Sequence, residues 1–319
     1  FSDYQKAMCH YVTMCLKKDP PYFHHMKKTT STILLLSFFI FKAAAQQIEA
    51  VQRSLITKRT ATWCPPCGAW GWTMFDNLIA DNQDKAVFFA AHFGTSLLAN
   101  TVGEELTDNF GAAYQPVFYL DEVNQNATSG NAASTRTAIK TKVDDAFAAE
   151  PIANSTFKPT WQNGQIKVDA SVKFFQATEG DFYLGVYLVE DNVLEYQASI
   201  GNNAVHHQVL QASFSTSTWG EPLANGSVEA DATFTKSFSL EAEDPATHDY
   251  EVVGVIWKKV GSKYQVVNVW STEEFGTVSQ VGEILAGITF SMTPTLVTEQ
   301  ATVRLELESA LDNLTLEVL

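Results

Sequence analysis

From about residue 50 to 150 the apolar positions switch between two periods. Leu55-Ile56 lies in a strand-like run from Arg53 to Arg59, Phe75, Leu78 and Ile79 share one helical face, and Ala86 to Ala91 is a short apolar run. Such a run fits a strand buried on both faces. Val102, Leu106 and Phe110 recur every four residues, Gln115 to Leu120 reads as a strand opening with proline, and Ile139, Val143 and Phe147 mark a last helix. Strand and helix alternating three times predict an α/β layer with sequential crossovers. One clear strand follows Gln115-Pro116, so the sheet is expected to lack an edge hairpin there.

After Pro151 the texture becomes strand on strand. Val168, Ala170, Val172 and Phe174 alternate with Lys167, Asp169, Ser171 and Lys173, whereas Phe182 to Val189 is apolar on both faces, as in a central strand. Further strands are read at about 232–240, 249–258 and 263–271, with turns at Asn163-Gly164 and Gly261-Ser262. The pattern predicts an antiparallel β-sandwich, with the Gly/Asn/Ser-rich stretch from Ser199 to Ser227 as an elaborate loop. Beyond about 286, Val303 to Glu308 and Leu314 to Val318 alternate strongly. Two strands make only a marginal unit, so the chain is expected to stop inside a small C-terminal β-domain. The predicted fold class is thus α/β plus all-β: an α/β domain over 46–152, a β-sandwich over 153–284 and a partial β-domain over 285–319.

The N-terminal segment changes the arithmetic. Lys27-Lys28 after Met26, the apolar run Ile33 to Phe41 and Ala43-Ala44-Ala45 have the layout of a secretory signal over 26–45. Residues 1–25 then read as an upstream extension and Gln46 as the mature N-terminus; a membrane anchor is the alternative. Without residues 1–45 the chain keeps 15 basic against 34 acidic residues, a formal charge of −19. Such a surface argues against nucleic acid or anionic lipid as partners. No transmembrane span is expected in the mature chain, and the protein is read as exported to the periplasm, outer-membrane surface or beyond.

Cys9 and Cys15 fall in the removed segment, which leaves Cys64 and Cys67 to pair with each other in an oxidising compartment. In Trp63-Cys64-Pro65-Pro66-Cys67 the first cysteine opens a helix, where unpaired N–H groups favour the thiolate. Cys64 is therefore the candidate attacking thiol and Cys67 the resolving one. Pro66 suits the first helical turn, and Trp63 is placed to shield one side of the sulfur. Gln115-Pro116 is a candidate cis pair whose exposed backbone would hold a bound polypeptide; a trans turn proline is the alternative. His92 with the two cysteines, and His206-His207, are weaker metal candidates than ordinary polar residues, so no metal site is predicted. Lys58 and Arg59 either lower the thiol pKa or mark a solvated strand end. Trp161, Trp219, Trp257 and Trp270 read as packing residues.

The stretch Ala61 to Cys67 together with Gln115-Pro116 resembles the thioredoxin superfamily, particularly its periplasmic TlpA-like members. That resemblance implies a thioredoxin-like α/β domain, nucleophile and resolving roles for Cys64 and Cys67, and a cis-proline role for Pro116. Lys58 departs from the pattern, because thioredoxin carries a buried acidic residue there. The order of the whole, with Tyr196-Gln197, Val205 to Leu210 and Val267-Asn268-Val269, is similar to the outer-membrane-protein-28-related family of Bacteroidota. Residues 286–319 resemble the first half of a type IX secretion sorting domain, with another sandwich hairpin as the alternative; the secretion machinery is then an implied partner. Two functions follow. One is thiol–disulfide exchange on protein thiols and disulfides, with the Cys64–Cys67 couple and no dissociable cofactor. The other is surface adhesion or ligand binding, with the disulfide as a structural staple.

Overall fold

The computed structural model describes residues 47–111 and 114–276, together with three strand segments at 12–13, 288–293 and 302–307. The signal at 26–45, most of the upstream extension and the strand read at Leu314 to Val318 lie outside the described residues. Two compact units are present, Lys42–Val278 and a second made of Phe1–Phe41 with Ser279–Leu319. In the second, β1 (Val12–Thr13) and β17 (Ile288–Thr293) flank β18 (Thr302–Leu307), both antiparallel to it.

The larger unit begins with β2 (Ser54–Thr60), α1 (Pro65–Gly68), α2 (Trp70–Asp81), β3 (Ala86–His92), α3 (Thr101–Asn109), β4 (Val117–Leu120), β5 (Val123–Asn124) and α4 (Ala132–Phe147). β2 and β3 run parallel, and β4 lies antiparallel on the other side of β2. The edge hairpin that the sequence was not expected to supply is present, because the two-residue β5 pairs with Tyr119 and Leu120. It escapes a periodicity reading because two residues cannot display a period.

Side chains leave these strands with a period of two. Leu55, Val87, Phe89, Val117 and Tyr119 face one core with Leu106 of α3 and its C-cap residue Phe110. Ile56, Ala86, Phe88, Ala90, Phe118 and Leu120 face the other, with Met74, Phe75 and Leu78 of α2 and Ile139 and Val143 of α4. A continuous apolar strand such as β3 is stable only with both faces covered, and it is buried throughout.

The β-rich half contributes β6 (Ala153–Thr156), β7 (Thr160–Gln162), β8 (Gln165–Phe174), β9 (Thr178–Asp191), β10 (Val193–Gln197), β11 (Gly201–His206), β12 (Val209–Ser213), β13 (Glu221–Val228), β14 (Thr233–Glu241), β15 (Asp249–Val260) and β16 (Lys263–Thr272). The loop expected from Ser199 to Ser227 therefore contains β11, β12 and most of β13. β12 opens with two adjacent buried residues, Val209-Leu210, and β13 carries Pro222 and Gly226, so alternation is weak although the backbone pairs. β6, β7, β8 and β14 form one sheet. The other strands do not close a separate sandwich sheet. β12 pairs antiparallel with β9 and parallel with β3 at Val209 and Ala90, which joins both halves into one nine-stranded sheet, β16-β15-β9-β12-β3-β2-β4-β5 with β13 on β9.

Burial follows from this layout. Ile166, Val168, Ala170, Val172 and Phe174 of β8 meet Phe182, Leu184, Val186 and Leu188 of β9 in the core between the sheets. The opposite face of the large sheet, with Tyr187, Val189, Val253, Val255 and Trp257, continues the α3 core. There Trp257 Nε1 donates to the Tyr187 hydroxyl at 2.9 Å, and that hydroxyl donates to the Thr218 carbonyl. No helix among the described residues is long and apolar enough to cross a membrane.

Candidate functional site

β2 delivers the chain through Ala61-Thr62-Trp63 to Cys64, which caps α1 in an extended conformation at φ −88° and ψ 108°. Pro65 and Pro66 fill the first helical positions, where no amide donor is required. Cys64 and Cys67 form a disulfide with Cα atoms 5.3 Å apart, and the Cys67 N–H donates to Cys64 Sγ at 3.2 Å. The helix breaks at Ala69 and resumes as α2. The Gln115–Pro116 peptide is cis. Pro116 packs so close to Gly71 that a Cβ there would stand 2.7 Å from its Cγ and 3.2 Å from the Pro66 carbonyl oxygen, which places the proline against the start of α2.

Access to the sulfurs is the decisive property. Cys64 is 1% exposed and Cys67 0%. Trp63, expected to shield the sulfur, is itself 41% exposed and meets Phe93 edge-on at 5.7 Å. The disulfide packs with Ala61 and Phe93, and the β10–β11 hairpin lies against the adjoining backbone. The Ala198 N–H donates to the Thr62 carbonyl at 2.8 Å, and Gln197 Nε2 donates to the carbonyls of Cys64 at 3.0 Å and Ala61 at 3.4 Å. Gly68 is required by this approach, since a Cβ there would overlap the Ala198 carbonyl oxygen. Gln197, Ala198 and Gly68 were not singled out as site residues from the sequence. Tyr196-Gln197 drew notice only as part of a family pattern, and a contact across about 130 residues leaves no local periodicity.

Beside α2 lies a small cavity of ≈ 10 Å³, lined among others by Lys58, Trp72, Asp76, His92, His206 and His207. Lys58 is buried, not at a solvated strand end, with Nζ 5.2 Å from the ring centres of both Trp72 and Phe75. Burial pushes its pKa down to about 8, against a smaller upward pull from Asp76. Arg59 instead lies over the Phe93 ring at 3.3 Å and donates to the Tyr114 carbonyl. His92 Nδ1 contacts Ser96 Oγ at 2.8 Å, and its ring lies 5.4 Å from that of His206. Burial, followed by His206 and Lys58, holds His92 well below the ordinary histidine range; burial, followed by Lys58, brings His206 to about 4. Both His206 and His207 line the cavity, and His207 Nδ1 pairs with Asp191 at 2.9 Å. The described residues contain no cluster of three or more metal-ligating groups, and a cysteine sulfur held in a disulfide is not a thiolate ligand.

Three comparisons place the chain among known proteins. No curated protein matches it. Among solved structures, HBP35 of Porphyromonas gingivalis is 14% identical and aligns with a TM-score of 0.59 over 77% of this chain and 83% of its own, a likeness of fold. A domain of the outer membrane lipoprotein Omp28 from Porphyromonas gingivalis aligns over 40% of this chain and 99% of its own at 17% identity and TM-score 0.28. The E. coli curli protein CsgC aligns over 37% and 96% at 12% identity and TM-score 0.20. The family model for outer membrane protein Omp28 matches residues 103–274. As that match spans more than half of the 319 residues, the chain belongs to the Omp28 outer membrane protein family.

Proposed function

We propose that this outer-membrane-associated protein works by adhesion or ligand binding, and that the Cys64–Cys67 disulfide is a structural staple. The observation that carries this reading is the burial of both cysteines, in a segment whose backbone is bonded to Gln197 and Ala198. A thiol–disulfide catalyst must present its attacking sulfur to a second polypeptide. In this chain Cys64 is buried. Lys58 works in the same direction: where a proton acceptor for the second thiol would be useful, there is a buried amine whose pKa near 8 keeps it mainly protonated at neutral pH.

Thiol–disulfide exchange on envelope proteins is the second reading. It draws support from the β3-β2-β4-β5 strand order, the dithiol at a helix start and the cis Gln115–Pro116 bond, all features of a thioredoxin-like domain. On that reading Trp63, Gln115 and Pro116 contact the polypeptide substrate. Export by a signal at 26–45 and handling by type IX secretion machinery through residues 285–319 belong to either reading. A trapping experiment separates the two. With Cys67→Ser, the structural reading predicts no accumulation of a mixed disulfide through Cys64 in envelope extracts, and specific Cys64-linked proteins would contradict it.

A further inference from the structure

β10 and β11 pair only with each other. They leave the large sheet at Asn192 (φ 57°) and return at Gln208 (φ 54°), two left-handed hinge residues. Asp191 Oδ1 closes the base of the hairpin by accepting from the Gln208 N–H at 3.1 Å and contacting His207 Nδ1. The outer face carries Leu194, Tyr196 and Val205, all exposed, whereas Gln197, Ala204 and His206 point inward and are buried. A two-stranded hairpin of this kind has little stability of its own. Its tip is held by residues 61–68, through the Thr62, Cys64 and Ala61 carbonyls and the gap at Gly68. The disulfide closes this same segment.

We propose that the Cys64–Cys67 disulfide is the latch of the β10–β11 hairpin, so that the hairpin is seated when the bond is intact and released when it is reduced. The proposal rests on the structural reading of the disulfide and adds to it a second task, holding the hairpin in place. Release would uncover Gln197, Ala204 and His206 together with the cavity beside Lys58 and His92. The reductant is a small dithiol. It gives two electrons and two protons to the Sγ atoms, the Cys64–Cys67 bond breaks, two thiols form, and the dithiol closes to its own disulfide. Since the sulfurs are buried, attack requires prior opening of the hairpin, and disulfide and hairpin protect each other.

Amide hydrogen exchange over residues 193–206 of the full chain tests this. In Cys64→Ala/Cys67→Ala, exchange across the hairpin should accelerate about tenfold or more while β9 and β15 keep their protection. Gly68→Ala, with the disulfide intact, should release the same segment by displacing Ala198, and should speed reduction by dithiothreitol by a similar factor. If the double variant also exposes β9 and β15, hairpin exchange in the dithiothreitol-reduced unaltered chain decides. Unchanged hairpin exchange in Gly68→Ala, or a dithiothreitol-reduced chain whose residues 193–206 stay protected, overturns the latch. Neither result bears on the trapping experiment with Cys67→Ser, so failure of the latch and failure of the structural reading are separable.

Discussion

Replacing Lys58 by methionine should make the protein more stable at neutral pH. The amine lies at 4% exposure beneath Trp72 and Phe75, where burial lowers its pKa from 10.5 to about 8. The downward shift means that the folded state disfavours the charged form. Its penalty is present in full below pH 8 and is relieved as pH rises from about 8 to 10.5. At about 1.36 kcal/mol per pKa unit the full penalty is on the order of 3 kcal/mol, and about 2 kcal/mol of it is relieved between pH 7 and 9.5. Methionine keeps the aliphatic contacts and removes the charge, a change worth about 1–3 kcal/mol of stabilisation when the packing is retained. Urea denaturation followed by tryptophan fluorescence at both pH values measures this. The unaltered chain should gain about 2 kcal/mol at pH 9.5, and Lys58→Met should lose that gain and begin from a higher value at pH 7. A variant less stable than the parent at pH 7, with the parent's pH slope intact, would refute the reasoning and make the ammonium a net stabilising group.

Acid should loosen the same region. Burial holds both His92 and His206 below the ordinary 6.5, so their contribution is present above pH 6.5 and is lost as pH falls, for His206 through about 4. For His206 the loss between pH 7 and 4.5 is about 2 kcal/mol; urea midpoints at the two pH values measure it, and His206→Phe should flatten that part of the profile. Asn268→Ala should cost about 3 kcal/mol in urea unfolding, because this buried amide accepts from the Arg53 and Val269 N–H groups and donates to the Val51 and Ala153 carbonyls. A change below about 0.5 kcal/mol would mean that those groups find other partners.

The parts of this fold legible in the sequence are those governed by local period. β3 and β8 could be read directly, one from its unbroken apolar run and the other from the alternation of Val168, Ala170, Val172 and Phe174 with polar neighbours. The disulfide and the Gln115-Pro116 pair were readable from residue type and order. What escaped depends on pairing at a distance. β12 looks like a short polar-flanked segment, yet Val209 beside Ala90 welds the two halves into one sheet. The burial of Lys58 is not readable in the sequence, because an isolated lysine in a strand is ordinarily taken for a solvated one. The same limit hid the contacts of the Cys64 segment. Only the three-dimensional path of the chain brings Gln197 and Ala198 onto residues 61–68.

The most direct test of the central claim is the reduction potential of the Cys64–Cys67 couple, measured by equilibrating the folded protein with graded dithiol buffers and counting free thiols. A buried structural staple should remain oxidised until the potential falls below about −300 mV. A midpoint between about −120 and −270 mV, the span of known disulfide oxidoreductases, would contradict the structural reading and favour exchange chemistry.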